Sequence, residues 1–295
     1  MRVFLTGASG YIGGSLAAAL RGAGHRIVGL YRSLQKAQQA QALGIEAASG
    51  TLDDGALLAR LARDADAVIH AADADHRAAV ESILAALAGS GKPFIHTSGS
   101  SIVGDQAWGE PGAMIYDDET PFTPGPGRAA RVAVNQRVLA AARDGVRAAV
   151  VSPSLIYGPG RGAHRESIQV PRLVALARKS GVARHVGRGE NLWSNVHIDD
   201  LVDLYLRVLA NAPAGASYYA ENGEASMRLL CEAISRALGW DGRTQAMTKD
   251  EAIAEFGADP AAYTYGSNSR VRATRARREL GWTPRHDALL ETLSV

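Results

Sequence analysis

Three glycines at fixed spacing, in Thr6-Gly7-Ala8-Ser9-Gly10-Tyr11-Ile12-Gly13, stand between an apolar run and an amphipathic stretch. The chemistry such a turn can do is to hold a diphosphate. Gly7 permits the tight turn, Gly10 lets the backbone approach a pyrophosphate, and Gly13 lets helix and strand pack closely. The helix that starts there directs N–H groups and its positive dipole end at the phosphates. Ser9, Tyr11 and Ile12 lie on the same turn and border the ligand. An ordinary tight turn has the same glycines, but this one ends the first strand and opens a βαβ unit, which favours a dinucleotide.

The second strand ends Gly29-Leu30-Tyr31-Arg32-Ser33. An NAD-selective site carries Asp or Glu there to bond the ribose 2′-hydroxyl. Tyr31 stands in its place, Arg32 can fork onto a 2′-phosphate, and Ser33 offers a second donor. The missing acid and the added cation both point to NADP(H) over NAD(H). A solvated arginine at a strand end is the plainer alternative.

The elements that position these residues alternate. Arg2–Thr6, Arg26–Tyr31, Ala67–Ala71, Pro93–Ser98 and Arg147–Pro153 read as strands, with a weak one near Ile45–Ala48. Most are continuous apolar runs suited to a sheet buried on both faces. Helical patterns cover Tyr11–Arg21, Asp54–Arg63, Arg77–Ala88 and Arg128–Arg143. The expectation is an α/β fold, a doubly wound parallel sheet. Gly104–Gly127 is a Gly/Pro-rich loop, long enough to border a site or to move. Further helices are expected near Glu166–Ser180, Asp200–Ala210, Met227–Leu238 and Lys249–Phe256, and a strand near Asn195–Ile198. The dinucleotide domain is set at 1–154 plus about 195–215, and a smaller, discontinuous C-terminal substrate lobe at about 155–194 plus 216–295.

The glycine turn, Ala67-Val68-Ile69-His70-Ala71-Ala72, Phe94-Ile95-His96-Thr97-Ser98, Tyr157-Gly158-Pro159-Gly160, Val196-His197-Ile198-Asp199-Asp200 and Glu279-Leu280-Gly281-Trp282-Thr283-Pro284 together resemble the epimerase/dehydratase branch of the short-chain dehydrogenase/reductase superfamily, in order and nearly in spacing. The resemblance implies a Rossmann fold and a nicotinamide cofactor. It further implies that Thr51, Leu52, Ala71 and Ala72 lie along that cofactor and that Pro153, Ser154 and Leu155 cradle the nicotinamide.

The same resemblance marks departures. The family's catalytic serine position falls on Gly99, its tyrosine on Gly127 and its lysine on Arg131. Glycine has no proton to give, and arginine stays charged. The chain thus resembles the atypical members, without the usual Ser-Tyr-Lys relay. Nucleotide-sugar enzymes of the branch place an Arg where Trp193 stands, and an indole offers no charge-assisted fork. A smaller or more apolar substrate, not a nucleotide sugar, is expected.

Several groups remain as catalytic candidates. Ser98 and Ser100 flank the missing serine, although strand-end bonding explains them as well. Arg131 can bond the nicotinamide ribose or stabilise developing charge, or form a surface ion pair. Tyr157, Arg161 and His164, on the loop after the cofactor strand, are substrate candidates with Ser100 and Trp193. His164 titrates near neutrality but is more simply a solvated histidine, and Tyr157 is more simply core. His70, His96 and His197 read as structural. Arg270, Arg272, Arg275, Arg277 and Arg278 fall where the family has an exposed C-terminal helix, and without interleaved aromatics they read as a solvated face.

Length and composition bound the rest. The chain has 295 residues, 46% hydrophobic, and a formal net charge of +2. Nothing global argues for nucleic acid or a membrane surface, and no apolar run approaches the roughly 20 residues that span a bilayer. Cys231 is the only cysteine, which excludes an internal disulfide and a multi-cysteine metal site; no metal is expected. The chain opens directly on a strand, and a reducing cytoplasm is the expected home. The leading expectation is an NADP(H)-dependent oxidoreductase reducing C=O, C=N or conjugated C=C in a small organic substrate, with homodimers open to the family. The alternative is a sensor that binds NADP(H) without turnover. A sugar epimerase or dehydratase is disfavoured by Gly127 and Trp193.

Overall fold

The computed structural model describes residues 1–286 and 288–293. Its strands are β1 (Arg2–Thr6), β2 (Arg26–Tyr31), β3 (Glu46–Ser49), β4 (Ala67–His70), β5 (Pro93–Thr97), β6 (Arg147–Pro153), β7 (Leu155–Tyr157), β8 (Ala183–Val186), β9 (Leu192–His197), β10 (Ala216–Ala220), β11 (Glu224–Ser226) and β12 (Thr244–Met247). Seven form one sheet in the order β10-β6-β5-β4-β1-β2-β3, every neighbouring pair parallel. The order reverses between β1 and β4, and the crevice outside their carboxyl ends is where such a sheet binds its ligand.

The apolar strand runs bury both faces of this sheet. Val3 and Leu5 face a core with Leu16 and Leu20 of α1 (Tyr11–Gly22) and with Leu201, Tyr205 and Val208 of the helix Ile198–Asn211. The helix α2 (Leu34–Ala42) adds Ala37 and Ala40 to that core, while Phe4, Val68 and Phe94 face a second one beneath α3 (Gly55–Asp64), α4 (Arg77–Leu87) and α5 (Ala129–Ala140), which give it Leu58, Ile83 and Val138. The doubly wound reading of the sequence therefore holds. A third core gathers β7, the helices Gln169–Ser180, Met227–Ala237 and Lys249–Phe256, and Trp193, Phe256 and Tyr265. It is the smaller lobe, with a three-stranded sheet β11-β9-β7 and the pair β12-β8.

The structure corrects three details. The smaller lobe does not take all residues from 216 onward: β10 extends the main sheet beside β6, and Ala276, Leu280 and Trp282 join the core with α1. The helix α2 was not expected: its sequence LQKAQQAQA has no apolar stripe, but Ser33 caps it, the hydroxyl accepting from the Lys36 N–H. Finally, Arg270 and Arg272 do not lie on a solvated helix. They precede the helix Thr274–Leu280 and converge on Glu224, Arg270 through its Nε and Nη2 at 3.1 and 2.7 Å.

Among the described residues no helix is long and apolar enough to cross a membrane.

Candidate active site

The glycine turn has the geometry of a phosphate cradle. Gly7 sits at φ +75°, and a Cβ there would meet the Ala71 carbonyl oxygen at 2.5 Å. Only glycine lets the turn close against the end of β4. A Cβ on Gly13 would lie 2.2 Å from the Gly7 oxygen, so α1 can pack on the turn only without one. Gly10 differs: its Cβ would meet just the Gly7 oxygen, at 3.3 Å, leaving its outer face open. No side chain caps α1, whose first turn presents its N–H groups beside Ser9, Tyr11 and Ile12. These features fit a dinucleotide pyrophosphate.

Further along, Tyr11 donates to the carbonyls of Tyr157 and Gly158 at 3.0 and 2.7 Å and so ties the turn to the lobe. The Thr6 hydroxyl accepts from the Ala71 N–H and bonds His70 at 2.9 Å, fixing the ends of β1 and β4 to each other. Ala72 is exposed there. Thr51 accepts from the Asp53 N–H, and Leu52 packs on the second core.

At the end of β2, Tyr31 is buried and burial pushes its phenol up, so it adds no negative charge there. Arg32 is exposed, with no ion pair among the described residues. A cavity of about 370 Å³ beside it is lined by Ser9, Tyr31, Lys36, Arg161 and His164. Lys36 escaped the sequence reading together with its helix; the signal that could have found it was Ser33 as an N-cap.

Two substrate candidates are thereby misplaced. The loop bearing Arg161 and His164 folds over α1, Gly162 against Gly14, with the Arg161 N–H bonded to the Ser15 hydroxyl and its guanidinium to Asp199 at 2.7 Å. They border the cavity at the end of β2, because the lack of side chains at Gly14 and Gly162 lets that loop lie flat on the helix. Trp193 is not in the cleft either. It is 4% exposed within the lobe core, its indole N–H donating to the Ser267 carbonyl at 2.6 Å. Tyr157 is buried against the His197 ring. His197 accepts from the Asp199 N–H as the cap of the helix Ile198–Asn211. His197, Asp199 and His286 are close enough to share an ion, but Asp199 is already paired with Arg161.

The reacting end departs from the glycine turn in kind. Ser98 accepts a 2.8 Å bond from Asn135, and Ser100 is buried against the Ser269 hydroxyl at 2.7 Å. Both hydroxyls serve packing, as strand-end residues often do. The Ser154 hydroxyl donates to the Ala220 carbonyl, joining β6 to β10, and Leu155 points into the lobe core. What faces Gly99 is the Pro153 carbonyl and the Arg131 guanidinium, 4.0 and 3.8 Å from where its Cβ would be. Arg131 is clamped by Asp75 through two bonds of 2.8 and 2.5 Å, and it also meets the Ser101 hydroxyl at 3.3 Å. The bond to Arg131 holds the Asp75 carboxyl below its ordinary range. Asp75 gave no sequence signal because its partner is far away in the chain. Burial pushes His96, stacked on His70, down to about 3, so both rings are neutral near pH 7.

Gly127 is closed where Gly99 is open. A Cβ there would strike the Tyr263 ring at 2.5 Å. The loop 104–127, expected to border a site or to move, is pinned down: Asp105 bonds Asn268 and Ser267, Tyr116 pairs with Val271, and Asp118 accepts from the N–H groups of Tyr219 and Arg275. Burial pushes the Asp118 carboxyl up to about 6.

Residues 3–220 match the model of the NAD dependent epimerase/dehydratase family. The chain is 32% identical to Oxidase ucsJ from Acremonium sp, over all of this chain and 96% of that protein. It is 30% identical to a 2-alkyl-3-oxoalkanoate reductase from Stenotrophomonas maltophilia, over 81% of this chain and 76% of that one. A dTDP-glucose 4,6-dehydratase from Bacillus anthracis, solved in complex with NAD, superposes with a TM-score of 0.78 at 18% identity, covering 99% of this chain and 95% of the other. That likeness speaks to fold alone.

Proposed function

The chain belongs to the NAD dependent epimerase/dehydratase family and is an oxidoreductase of the short-chain dehydrogenase/reductase type, and from that premise we propose that it is an NADP(H)-dependent reductase of a ketone in a small organic substrate. The observation that carries the cofactor choice is the end of β2. Tyr31 stands where an acid would bond a ribose hydroxyl, with Arg32 and Lys36 exposed beside it. Two cations and no carboxylate suit a 2′-phosphate.

A bound, reduced dinucleotide supplies a hydride to an electrophilic carbon. This chain's own part is to hold the pyrophosphate at the start of α1, set one ribose by Arg131, and keep Pro153, Gly99 and Arg131 around the reacting end. The ketone choice, over an imine or enone, draws on the oxoalkanoate reductase among the relatives. Against a nucleotide sugar stands Trp193, committed to the lobe core. A small-molecule ligand, no nucleic acid and a reducing cytoplasm complete the reading; the buried free thiol of Cys231 suits that compartment.

A sensor without turnover is the second reading, favoured by Gly99 and Gly127 and by the engaged hydroxyls of Ser98 and Ser100. Loss of reduced-nicotinamide absorbance, screened over β-keto esters, simple ketones, imines and enones, separates the two. Consumption of NADPH with a ketone is the expected result. Tight NADPH binding with no consumption across the panel would leave the sensor.

A further inference from the structure

A ketone that accepts a hydride also needs a proton; His164 lies elsewhere, and Ser98 and Ser100, which hold Asn135 and Ser269, would leave an alkoxide, a far less stable anion than a phenolate. We propose that Tyr263, supplied by the smaller lobe, is the proton donor of this site; the proposal rests on the reductase reading above.

Tyr263 lies in a single π-helical turn, Ala261–Tyr265, closed by the Gly266 N–H on the Ala261 carbonyl at 2.9 Å. Such turns are rare and concentrate at functional sites. This one sets a phenol among three glycines from the other domain. The ring reaches to 3.5 Å from a Cβ position on Gly104, 3.2 Å from one on Gly125 and 2.5 Å from one on Gly127. The space that a side chain at 127 would fill, one helical turn before Arg131, is therefore filled by this tyrosine.

The surroundings are polar in a way packing does not require. The Gly127 N–H donates to the phenol oxygen at 3.0 Å, and the Gln106 amide donates to the same oxygen. Two donors on the oxygen leave the phenol hydrogen to be given away, and they would stabilise the phenolate left behind. Arg128 lies over the ring, 4.2 Å from its centroid, held there by a two-pronged pair with Asp259 at 2.7 and 3.0 Å.

Gln106 reaches the phenol from a left-handed backbone at φ +56°, with Trp108 at +53°. Such non-glycine conformations are strained and persist where the surroundings impose them. Here Asp105 on Asn268 and the Gly109 N–H on the Gly266 carbonyl impose them.

The step balances simply. As the carbonyl carbon receives the hydride, the phenol O–H bond breaks and a new O–H bond forms on the former ketone oxygen. The electron pair stays on the Tyr263 oxygen, which regains a proton from water as the alcohol leaves.

The test compares wild type with Tyr263→Phe, which keeps the ring, and with Gln106→Leu, which keeps the phenol. Ethyl acetoacetate and NADPH are the probes. Tyr263→Phe should lose about 100-fold or more in kcat, with unchanged NADPH affinity and a fold that circular dichroism shows to be intact, and Gln106→Leu about 10-fold. In the non-reacting complex with NADP⁺ and carbonyl-labelled ethyl acetoacetate, infrared spectroscopy should show the ketone stretch lowered in wild type and restored in Tyr263→Phe. Turnover of Tyr263→Phe within threefold of wild type, or an unchanged stretch, would overturn the assignment. Wild type inert toward the whole carbonyl panel would contradict the reductase reading instead, and the proposal with it.

Discussion

The two ends of the cleft are built on different terms. At the cofactor end, the glycines at 7 and 13 are there because backbone lies within 2.2–2.5 Å of any Cβ; the constraint is local and shows in the sequence. At the reacting end, the glycines at 99 and 127 replace side chains, and they do so unequally. Gly99 faces open space, whereas Gly127 is filled by a ring more than a hundred residues away in the chain. A turn that binds by backbone tolerates little change, but a proton donor can come from any segment that reaches the site.

The sharpest break of this contrast is Gly10→Val. A branched side chain on the turn's open face would occupy the pyrophosphate position, and dinucleotide affinity should fall at least about 100-fold, roughly 3 kcal/mol, in a protein that circular dichroism shows to be folded. Undiminished affinity would place the dinucleotide elsewhere. Next is Arg32→Ala, which should cost about 1.5–3 kcal/mol of NADPH binding and leave NADH binding unaltered by calorimetry.

At the other end, Gly127→Tyr with Arg131→Lys should not raise turnover. The new Cβ displaces Tyr263, and overpacking of this kind costs about 1–3 kcal/mol in chemical unfolding. A gain in turnover would mean that the relay had merely been lost.

Asp118 sharpens the picture through pH. Its folded-state pKa of about 6 lies above the ordinary carboxylate value, so the stability it lends is full below that ordinary value and is lost as pH rises toward 6. Relative to Asp118→Asn, wild type should therefore lose on the order of 1 kcal/mol between about pH 4 and 7, after allowance for partial exposure. Melting curves that run parallel across that range would contradict the assignment. Gly99→Ser should be smallest of all, within about 0.5 kcal/mol, because only ordinary contacts await its Cβ.

What the sequence could tell follows the same divide. The parallel sheet was legible because the buried strands are continuous apolar runs, and the turn because its glycines are adjacent in sequence. The helix α2 was not, since its amphipathic signal is weak and only its cap announces it. β10 was missed because the run Ala216–Ala220 is short and pairs with a strand far back in the chain. Trp193 reads as a cleft residue until its N–H is seen on Ser267. Asp75 and Tyr263 act on partners 56 and 136 residues away. No periodicity encodes such a contact.

The claim on which the rest depends is that the glycine turn, Arg32 and α2 form a site for NADP(H). Calorimetric titration of the wild-type protein with NADPH and NADH, side by side in one buffer, tests it most directly. The account predicts tighter binding of NADPH by at least tenfold, the affinity of about one charge-assisted hydrogen bond. Equal dissociation constants, or a preference for NADH, would contradict it.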